Sequence, residues 1–319
     1  MEERDTVRDD QSSLIFLGTG SSTGIPNAKC IIQPSTPPCS VCFDSIKLPL
    51  QTNPNYRCNT SLLIDYCKAN GEHNYILIDA GKTFREQVLR WFTFYKIPHL
   101  DSVLLTHEHA DAVHGLDDLH CVRHINPDNG VSPIPLYATQ ECLDSVILRF
   151  PHLSKEEPKQ HEVTGQVALV DWRIIENHCE KPFIASGLQF FPLPVMHGED
   201  YVALGFLFGD KCKVAYVSDV SRFPSSTEYV ISKGKGGELD LLILDTNCIY
   251  LNGLRNTHFC FPETLDAVKR ISPKRALLIG MNHSYDHDEI NQYLLEWSER
   301  EGIPVQLAHD GLRIPIELC

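Results

Sequence analysis

The sequence predicts an α/β protein in which two β-sheets pack face to face and helices cover their outer faces. Two observations support this fold class. First, short apolar, β-branched runs alternate with stretches of helical periodicity. Second, this alternation occurs in both halves of the chain. There is no internal repeat and no low-complexity segment. We therefore expect a flexible tail over residues 1–12 and a single domain over residues 13–319.

The predicted elements follow from apolar periodicity and turn residues. In the first half they are strand 14–17, the hairpin of 61–66 and 74–78, helix 83–95 and strand 103–105. In the second half they are strands 188–193, 202–208, 213–217, 241–244, 276–279 and 312–316, and helices 262–271 and 288–301. Two polar, proline-containing stretches, 151–162 and 221–237, are interpreted as surface insertions.

Composition and charge narrow the function classes. The chain has 319 residues, of which 42% are hydrophobic and 22% charged, and its formal net charge is −14. This charge disfavours a general nucleic-acid binder. No run of eighteen apolar residues is present, so no membrane span is expected. The polar, acidic start of the sequence does not resemble a secretory signal, which favours the cytoplasm, with the nucleus also consistent.

The strongest chemical signal is a histidine-rich loop directly after the predicted buried strand 103–105. It contains His107, His109 and Asp111 at alternate positions. Imidazole and carboxylate groups at this spacing can converge on one ion, and they suit zinc, manganese or iron. Three later strands also end in polar residues, namely His197, Asp219 and His283. Each could alone be a core histidine or a helix cap, so their joint occurrence carries the argument.

These motifs, taken in order, resemble the metallo-β-lactamase superfamily, an αββα sandwich of metal-dependent hydrolases. The resemblance rests on 17–21, 77–81, the loop that starts at His107, His197 and 218–219. Within the superfamily the chain is most similar to the phosphodiesterase branch typified by the cyclic ribose phosphate phosphodiesterase of the carbon-phosphorus lyase pathway. The resemblance implies a first metal, zinc or manganese, held by His107, His109, His197 and Asp219, and a supporting role for Asp79.

Two positions depart from the pattern of that branch, and both concern a second metal. Ala112 stands where the pattern has a histidine after Asp111, and Gly280 stands at the first histidine of a His-x-x-His pair. Only Asp111 and the bridging Asp219 would then remain for the second ion. Because a divalent ion needs about four ligands, we expect a mononuclear or weakly dinuclear centre. Whether His114 supplies a replacement ligand stays open.

A cysteine constellation predicts a separate zinc site. Cys39 and Cys42 form a Cys-x-x-Cys pair, and Cys30 is close enough in sequence to join them. The resemblance implies His283 as the fourth ligand of this structural zinc. A thioredoxin-like redox pair is the rival interpretation of the cysteines, and a second-metal ligand is the rival interpretation of His283. The other nine cysteines have no such spacing and are predicted to be core or surface thiols.

His258, in the segment 256–260, is the last candidate. The resemblance implies that it protonates the leaving oxygen, whereas a surface histidine beside a helix is the alternative. A small anionic substrate is expected, most simply a soluble phosphodiester, linear or cyclic, that is cleaved with Asp111 and His258 as catalytic groups. The alternatives are a tRNA 3′-end endonuclease of the RNase Z type, a thiolester or lactone hydrolase, and a non-catalytic metal-binding protein. A homodimer is also compatible with the sequence.

Overall fold

The computed structural model describes residues 11–50, 52–126, 130–154, 170–233, 238–250 and 257–319. Two seven-stranded sheets form its centre. The first sheet contains β1 (Ser13–Gly18), β2 (Ser61–Cys67), β3 (His73–Ile78), β4 (Ser102–Leu104), β7 (Ile134–Ala138), β8 (Val170–Ile174) and β16 (Arg313–Pro315). The second contains β9 (Phe183–Ala185), β10 (Leu188–Met196), β11 (Val202–Phe208), β12 (Val214–Val217), β13 (Leu241–Asp245), β14 (Ala276–Ile279) and β15 (Val305–Leu307). A short ribbon pairs β5 (Ile125–Asn126) with β6 (Gly130–Val131).

Each sheet is mixed, with an antiparallel part and a parallel part. The order of the first sheet is β16-β1-β2-β3-β4-β7-β8, with parallel pairing from β3 to β8. The order of the second is β15-β14-β13-β12-β11-β10-β9, with parallel pairing from β12 to β15. Loops at the carboxyl ends of parallel strands commonly build ligand sites in α/β proteins.

Both faces of the central strands are buried, which explains their uninterrupted apolar sequences. In β1, Leu14 and Phe16 point into the core between the two sheets, whereas Ile15 and Leu17 point into the core beneath the outer helices. All four side chains are at most 1% exposed. The predicted αββα architecture is therefore confirmed.

The helices cover the outer faces. Their bounds are α1 (Ala28–Ile32), α2 (Ser40–Ser45), α3 (Phe84–Gln87), α4 (Thr93–Tyr95), α5 (Ala110–Val113), α6 (Gln140–Arg149), α7 (Ser225–Ile231), α8 (Phe261–Ile271) and α9 (His287–Glu301). A π-helical turn, Val88–Phe92, joins α3 to α4, so the predicted helix 83–95 is present with a local widening. The predicted helices 262–271 and 288–301 correspond to α8 and α9.

Two predicted surface segments need correction. The stretch 221–237 is not a plain insertion, because it contains α7, whose Ile231 is fully buried and whose Thr227 hydroxyl donates to the Pro194 carbonyl at 2.5 Å. In the stretch 151–162, Leu153 is 1% exposed and accepts a hydrogen bond from the Trp172 indole, whereas 155–162 lie outside the described residues. The prediction of surface insertions was wrong for the described parts because these mostly polar sequences contain a few apolar residues that are buried.

Of the predicted tail, residues 1–12, only residues 11 and 12 belong to the described part. Residues 1–10 are outside the described part. Ser12 is 5% exposed, and its hydroxyl accepts a hydrogen bond from the Cys67 amide at 2.9 Å. Ser12, which falls in the predicted tail, is thus held against β2. Across the described ranges, no helix has the length and apolar character needed to cross a bilayer.

Candidate metal centre

The histidine loop begins at the end of β4 and is held by a buried aspartate at the end of β3. Asp79 has a left-handed backbone, with φ of +63°, and is 2% exposed. Its carboxylate accepts hydrogen bonds from the Thr106 amide at 2.9 Å and from the Thr106 hydroxyl at 2.7 Å. Burial holds the pKa of Asp79 well above its usual range, against the effect of these two bonds. The supporting role implied for Asp79 is consistent with this geometry.

The same network fixes the orientation of His107. The Thr106 hydroxyl donates to Asp79, so its oxygen is available to accept from Nδ1 of His107 at 2.8 Å. This arrangement places the proton on Nδ1 and leaves the Nε2 lone pair free. Nε2 is buried and has no hydrogen-bond partner. An unpartnered buried nitrogen is costly unless something binds to it, so this atom fits a metal ligand.

His197, at the end of β10, is oriented in a similar way. Its Nδ1 donates to the Thr257 carbonyl at 2.6 Å, which directs Nε2 toward Nδ1 of His109 at 3.3 Å. Burial lowers the pKa of His197 to about 4, and burial followed by the neighbouring His107 lowers the pKa of His109. Both imidazoles are therefore neutral near pH 7, as metal ligands must be.

The loop after β12 supplies a carboxylate to the cluster. Asp219 is 8% exposed, and Oδ1 lies 4.0 Å from Nε2 of His107. Burial favours its protonated form, but His107, His258 and His197 outweigh burial and lower its pKa to about 2. Asp219 is thus a carboxylate at neutral pH, and a carboxylate among imidazoles is the donor set expected for a divalent transition metal.

The donor atoms of these residues form two overlapping groups. Donor atoms of His107, His109 and His197 lie within 4.8 Å of one another, and so do those of His197, Asp219 and His258. The two groups share His197, and tetrahedral ligands at about 2.0–2.1 Å from zinc are separated from each other by about 3.3 Å. The structure therefore brings together the four residues predicted to hold the first metal.

His258 lies beside this cluster and is paired with a buried aspartate that the sequence analysis missed. Nδ1 of His258 is 2.7 Å from Oδ2 of Asp245 and 3.7 Å from Oδ1 of Asp219. Burial alone would lower the pKa of His258, but the Asp245 carboxylate outweighs it and raises the pKa above its ordinary value. Asp245 ends the apolar run of β13, and that strand-end position was the available signal.

Asp111 and the two departures line the pocket next to the cluster. Asp111, Ala112 and Gly280 share it with His107 and His258. A Cβ atom at residue 280 would lie 2.3 Å from Oδ1 of Asp245, so no side chain fits there without movement. His114 is exposed and packs edge-on against Phe150, with ring centres 5.7 Å apart. It belongs to none of the donor groups found among the described residues.

A second cluster lies where the amino-terminal loops meet the segment after β14. Donor atoms of Cys30, Cys39, Cys42 and His283 lie within 4.8 Å of one another. Nδ1 of His283 is 3.5 Å from Sγ of Cys30 and 3.4 Å from Sγ of Cys39. These separations are close to the roughly 3.6 Å between nitrogen and sulfur ligands of a tetrahedral zinc. Burial raises the pKa of the Cys42 thiol to about 12, so a cation would be needed to hold its thiolate.

Comparison with known protein families gives one match. A family model described as a beta-lactamase superfamily domain matches residues 74–281, more than half of the chain. The matched region includes the histidine loop, His197, Asp219 and His258.

A curated relative and several solved structures are similar to the chain. An octanoyltransferase from Porphyromonas gingivalis is 29% identical over 311 residues, covering 94% of this chain but only 52% of that protein. The chain thus spans about half the length of this relative. A new diphosphatase from the PhnP family has a TM-score of 0.74 and 26% identity, over 97% of this chain and 99% of that one. Zinc-bound PqqB from Methylobacterium extorquens has a TM-score of 0.67 and 19% identity, over 95% and 100%.

Proposed function

Because this chain belongs to the metallo-β-lactamase superfamily, we propose that it hydrolyses a small phosphodiester or diphosphate at phosphorus. The observation that carries the proposal is the 26% identity to a diphosphatase of the PhnP family over nearly the full length of both chains. The coarser assignment, a hydrolase of this superfamily with a metal-binding donor set, follows from the family match and the geometry of the cluster.

The chemistry at the cluster depends on how its own residues are held. When bound, a zinc or manganese ion would supply hydroxide at neutral pH and would polarise a phosphoryl oxygen. The Asp79–Thr106 network and the Thr257 carbonyl keep His107 and His197 in the tautomers that ligation requires. Asp111, on the pocket wall, accepts a hydrogen bond from the attacking water and so orients it toward phosphorus.

His258 donates the proton to the departing oxygen. Its Nδ1–H is engaged by Asp245, so Nε2 is the nitrogen that carries out the transfer. The raised pKa of His258 keeps this imidazole protonated at neutral pH, which is the state that a proton donor needs. Asp245 acts through His258 and is a positioning residue.

The centre holds one ion tightly in this proposal, although members of the superfamily typically hold two. Ala112 carries no ligand atom, and the space beside Gly280 is taken by Oδ1 of Asp245. The exposed His114 faces Phe150 instead of the donors. Zinc is favoured over manganese because three of the four donors are nitrogens.

The cysteine cluster serves as a structural zinc site. It joins the loop that contains α1 and α2 to the segment between β14 and α9. That segment also contains Met281, whose carbonyl accepts from the Ser21 amide at 3.0 Å at the edge of the pocket. Zinc held here would fix one wall of the active site without taking part in the reaction.

Thiolester hydrolysis is the second candidate, and one observation favours it. The curated relative is named for the transfer of an octanoyl group, which is an acyl group. Hydrolysis of an acyl thiolester would use the same first metal. A tRNA substrate is less favoured, because the likeness to human tRNase Z is 17% in sequence and the net charge of this chain is −14.

The test compares two exposed histidines five residues apart. We expect His109→Ala to lower kcat on bis(p-nitrophenyl) phosphate at least 100-fold and to lower the content of bound metal, because it removes a ligand. His114→Ala is the matched control and should keep both activity and metal, since its side chain lies outside the donor set.

The same assay separates the candidates. Wild-type protein supplied with zinc or manganese should cleave the phosphodiester faster than an octanoyl thiolester, and the reverse preference would favour the second candidate. Activity that survives in His109→Ala with unchanged metal content would disprove the assigned centre. No activity on either substrate, with either metal, would favour a non-catalytic metal-binding protein.

A further inference from the structure

Two cysteines lie side by side next to the segment that carries His258. Cys248 follows β13, Cys260 immediately precedes α8, and the two residues pair across a single parallel bridge. Backbone hydrogen bonds fix this pairing. The Phe261 amide donates to the Cys248 carbonyl at 2.8 Å, and the Asn247 amide donates to the Phe259 carbonyl at 3.0 Å.

This pairing places the two thiols within reach of each other. Hydrogen-bonded neighbouring segments run about 4.8 Å apart. That spacing falls inside the Cα–Cα range of about 4.4–6.8 Å that a disulfide requires. The side chains of directly paired residues project from the same face of the bridge. Burial chiefly raises the pKa of Cys260 to about 11, and the nearby Cys248 thiol contributes to this rise.

The two cysteines form no disulfide and differ in exposure, and the Cys260 side chain accepts a hydrogen bond from the Glu263 amide at the start of α8. Cys260 is 3% exposed, whereas Cys248 is only partly buried and can be reached from solvent. Neither belongs to the cluster of Cys30, Cys39 and Cys42. The sequence does not predict the pair, because eleven residues separate the two cysteines. Part of the intervening segment, 251–256, lies outside the described residues.

We propose that Cys248 and Cys260 form a redox-active dithiol that a hydroperoxide closes to a disulfide, thereby controlling the segment that carries His258. The Cys248 thiolate attacks the peroxide and becomes a sulfenic acid as the O–O bond breaks and one water or alcohol leaves. The Cys260 thiol then displaces water from that sulfenic acid, and the S–S bond forms. Two thiol hydrogens and two electrons are thus transferred to the peroxide.

The disulfide would act on the proton donor through short connections. His258 precedes Cys260 by two residues, and its partner Asp245 precedes Cys248 by three. Phe259 lies between His258 and Cys260 in sequence. Its amide donates to the carbonyl of Val220 at 2.6 Å, and Val220 directly follows Asp219. Drawing the two sulfurs together shifts His258 relative to Asp245 and Asp219. The effect on catalysis rests on the proposed function, whereas formation of the disulfide does not.

The oxidation is expected to be slower than that of an exposed thiol. Burial raises the pKa of both Cys248 and Cys260, so both are protonated at neutral pH. Because the thiolate is the attacking species, a small thiolate fraction makes the reaction slow. The pair should therefore be oxidised only when peroxide persists. Cys121, exposed and 3.1 Å from the His120 imidazole, provides an internal reference for fast oxidation.

Mass spectrometry tests the pair directly in the full-length, metal-loaded protein. Trypsin cleaves after Arg255, so Cys248 falls in peptide 236–255 and Cys260 in peptide 256–269. After treatment with hydrogen peroxide we expect these two peptides to be joined, and dithiothreitol should separate them. The joined peptides should also show slower amide exchange over 257–261. If Cys121 is fully oxidised while the two peptides stay unlinked, the dithiol does not exist.

Two serine variants isolate the functional effect. Peroxide should lower kcat of the wild type at least fivefold and reversibly, and Cys121→Ser should behave in the same way. Cys248→Ser should keep its untreated activity and lose the sensitivity. An equal loss in Cys248→Ser would place the damage in another thiol group, such as the zinc cluster, and would overturn the proposal. An unchanged kcat in cross-linked wild type would overturn the control of His258. If no phosphodiester is cleaved at all, the proposed function fails, and the peptide link still decides the dithiol.

Discussion

At the scale of single residues, the glycine at position 280 shapes the active site by having no side chain. Its φ is +79°, and a Cβ there would lie 2.3 Å from Oδ1 of Asp245. We expect Gly280→Ala to lower the free energy of unfolding by about 3 kcal/mol, from backbone strain and overpacking combined. It should also lower kcat at least tenfold, because Asp245 must move away from His258. Thermal denaturation and steady-state kinetics measure the two effects.

Gly302 is the matched control for that substitution. Its φ is +73°, and nothing lies within 4 Å of a Cβ built there. Gly302→Ala should therefore cost only the left-handed backbone strain, about 1 kcal/mol, with kcat unchanged. If the two variants lose the same stability and Gly280→Ala keeps full activity, then Asp245 does not depend on the space at residue 280.

Site residues that belong to a sequence motif could be predicted from the sequence. Site residues whose role depends on a contact with a distant part of the chain could not. His107, His109, His197 and Asp219 all follow apolar strands, and the structure places them together as expected. Asp245 is the last residue of the apolar strand β13, but it has no neighbouring histidine in sequence. Its role becomes visible only when the chain brings His258 to within 2.7 Å.

At the scale of elements, the central strands were predictable because both of their faces are buried. The predicted strands 202–208 and 276–279 match β11 and β14 residue for residue. By contrast, α7 was missed because it begins with polar residues after Pro224, and only its buried residues reveal it. The Thr227 hydroxyl of α7 donates to the Pro194 carbonyl of β10, a contact that the sequence pattern does not reveal.

The cysteine cluster connects the segment that contains α1 and α2 to the segment before α9. We therefore expect a substitution in it to lower the stability of the fold. Cys39 immediately precedes α2, and its Sγ lies 3.4 Å from Nδ1 of His283 in the segment before α9. We expect Cys39→Ser to lose one zinc per chain and at least about 3 kcal/mol of unfolding free energy, since loss of a structural metal is among the most destabilising changes. Metal analysis and chemical denaturation measure both quantities.

Cys121→Ser is the control for the zinc-site variant, because Cys121 is an exposed thiol on the short turn Leu116–Val122. It should change neither zinc content nor stability by more than about 0.5 kcal/mol. If Cys39→Ser keeps its full zinc content and wild-type stability, the cluster is a group of unliganded thiols. Its contribution to the pocket wall would then come from hydrogen bonds alone.

At the scale of the whole molecule, the charge of −14 opposes the approach of an anionic substrate. Repulsion of this kind reaches about 30 Å at 0.01 M salt and less than 10 Å above 0.1 M. In the proposed reaction, a bound metal would therefore supply most of the positive charge that the substrate meets in the pocket. Among the residues that line the pocket with His107 and His258, there is no lysine or arginine in the described part of the chain.

This balance predicts the sign of the salt dependence. Raising sodium chloride from 0.01 to 0.2 M should increase kcat/KM two- to fivefold for a diphosphate ester, because screening removes long-range repulsion. The increase should be smaller for bis(p-nitrophenyl) phosphate, which carries a single negative charge, and kcat at saturating substrate should change little in either case. A fall in kcat/KM as salt rises would show that a local cationic surface attracts the substrate, and the net charge would then not govern its approach.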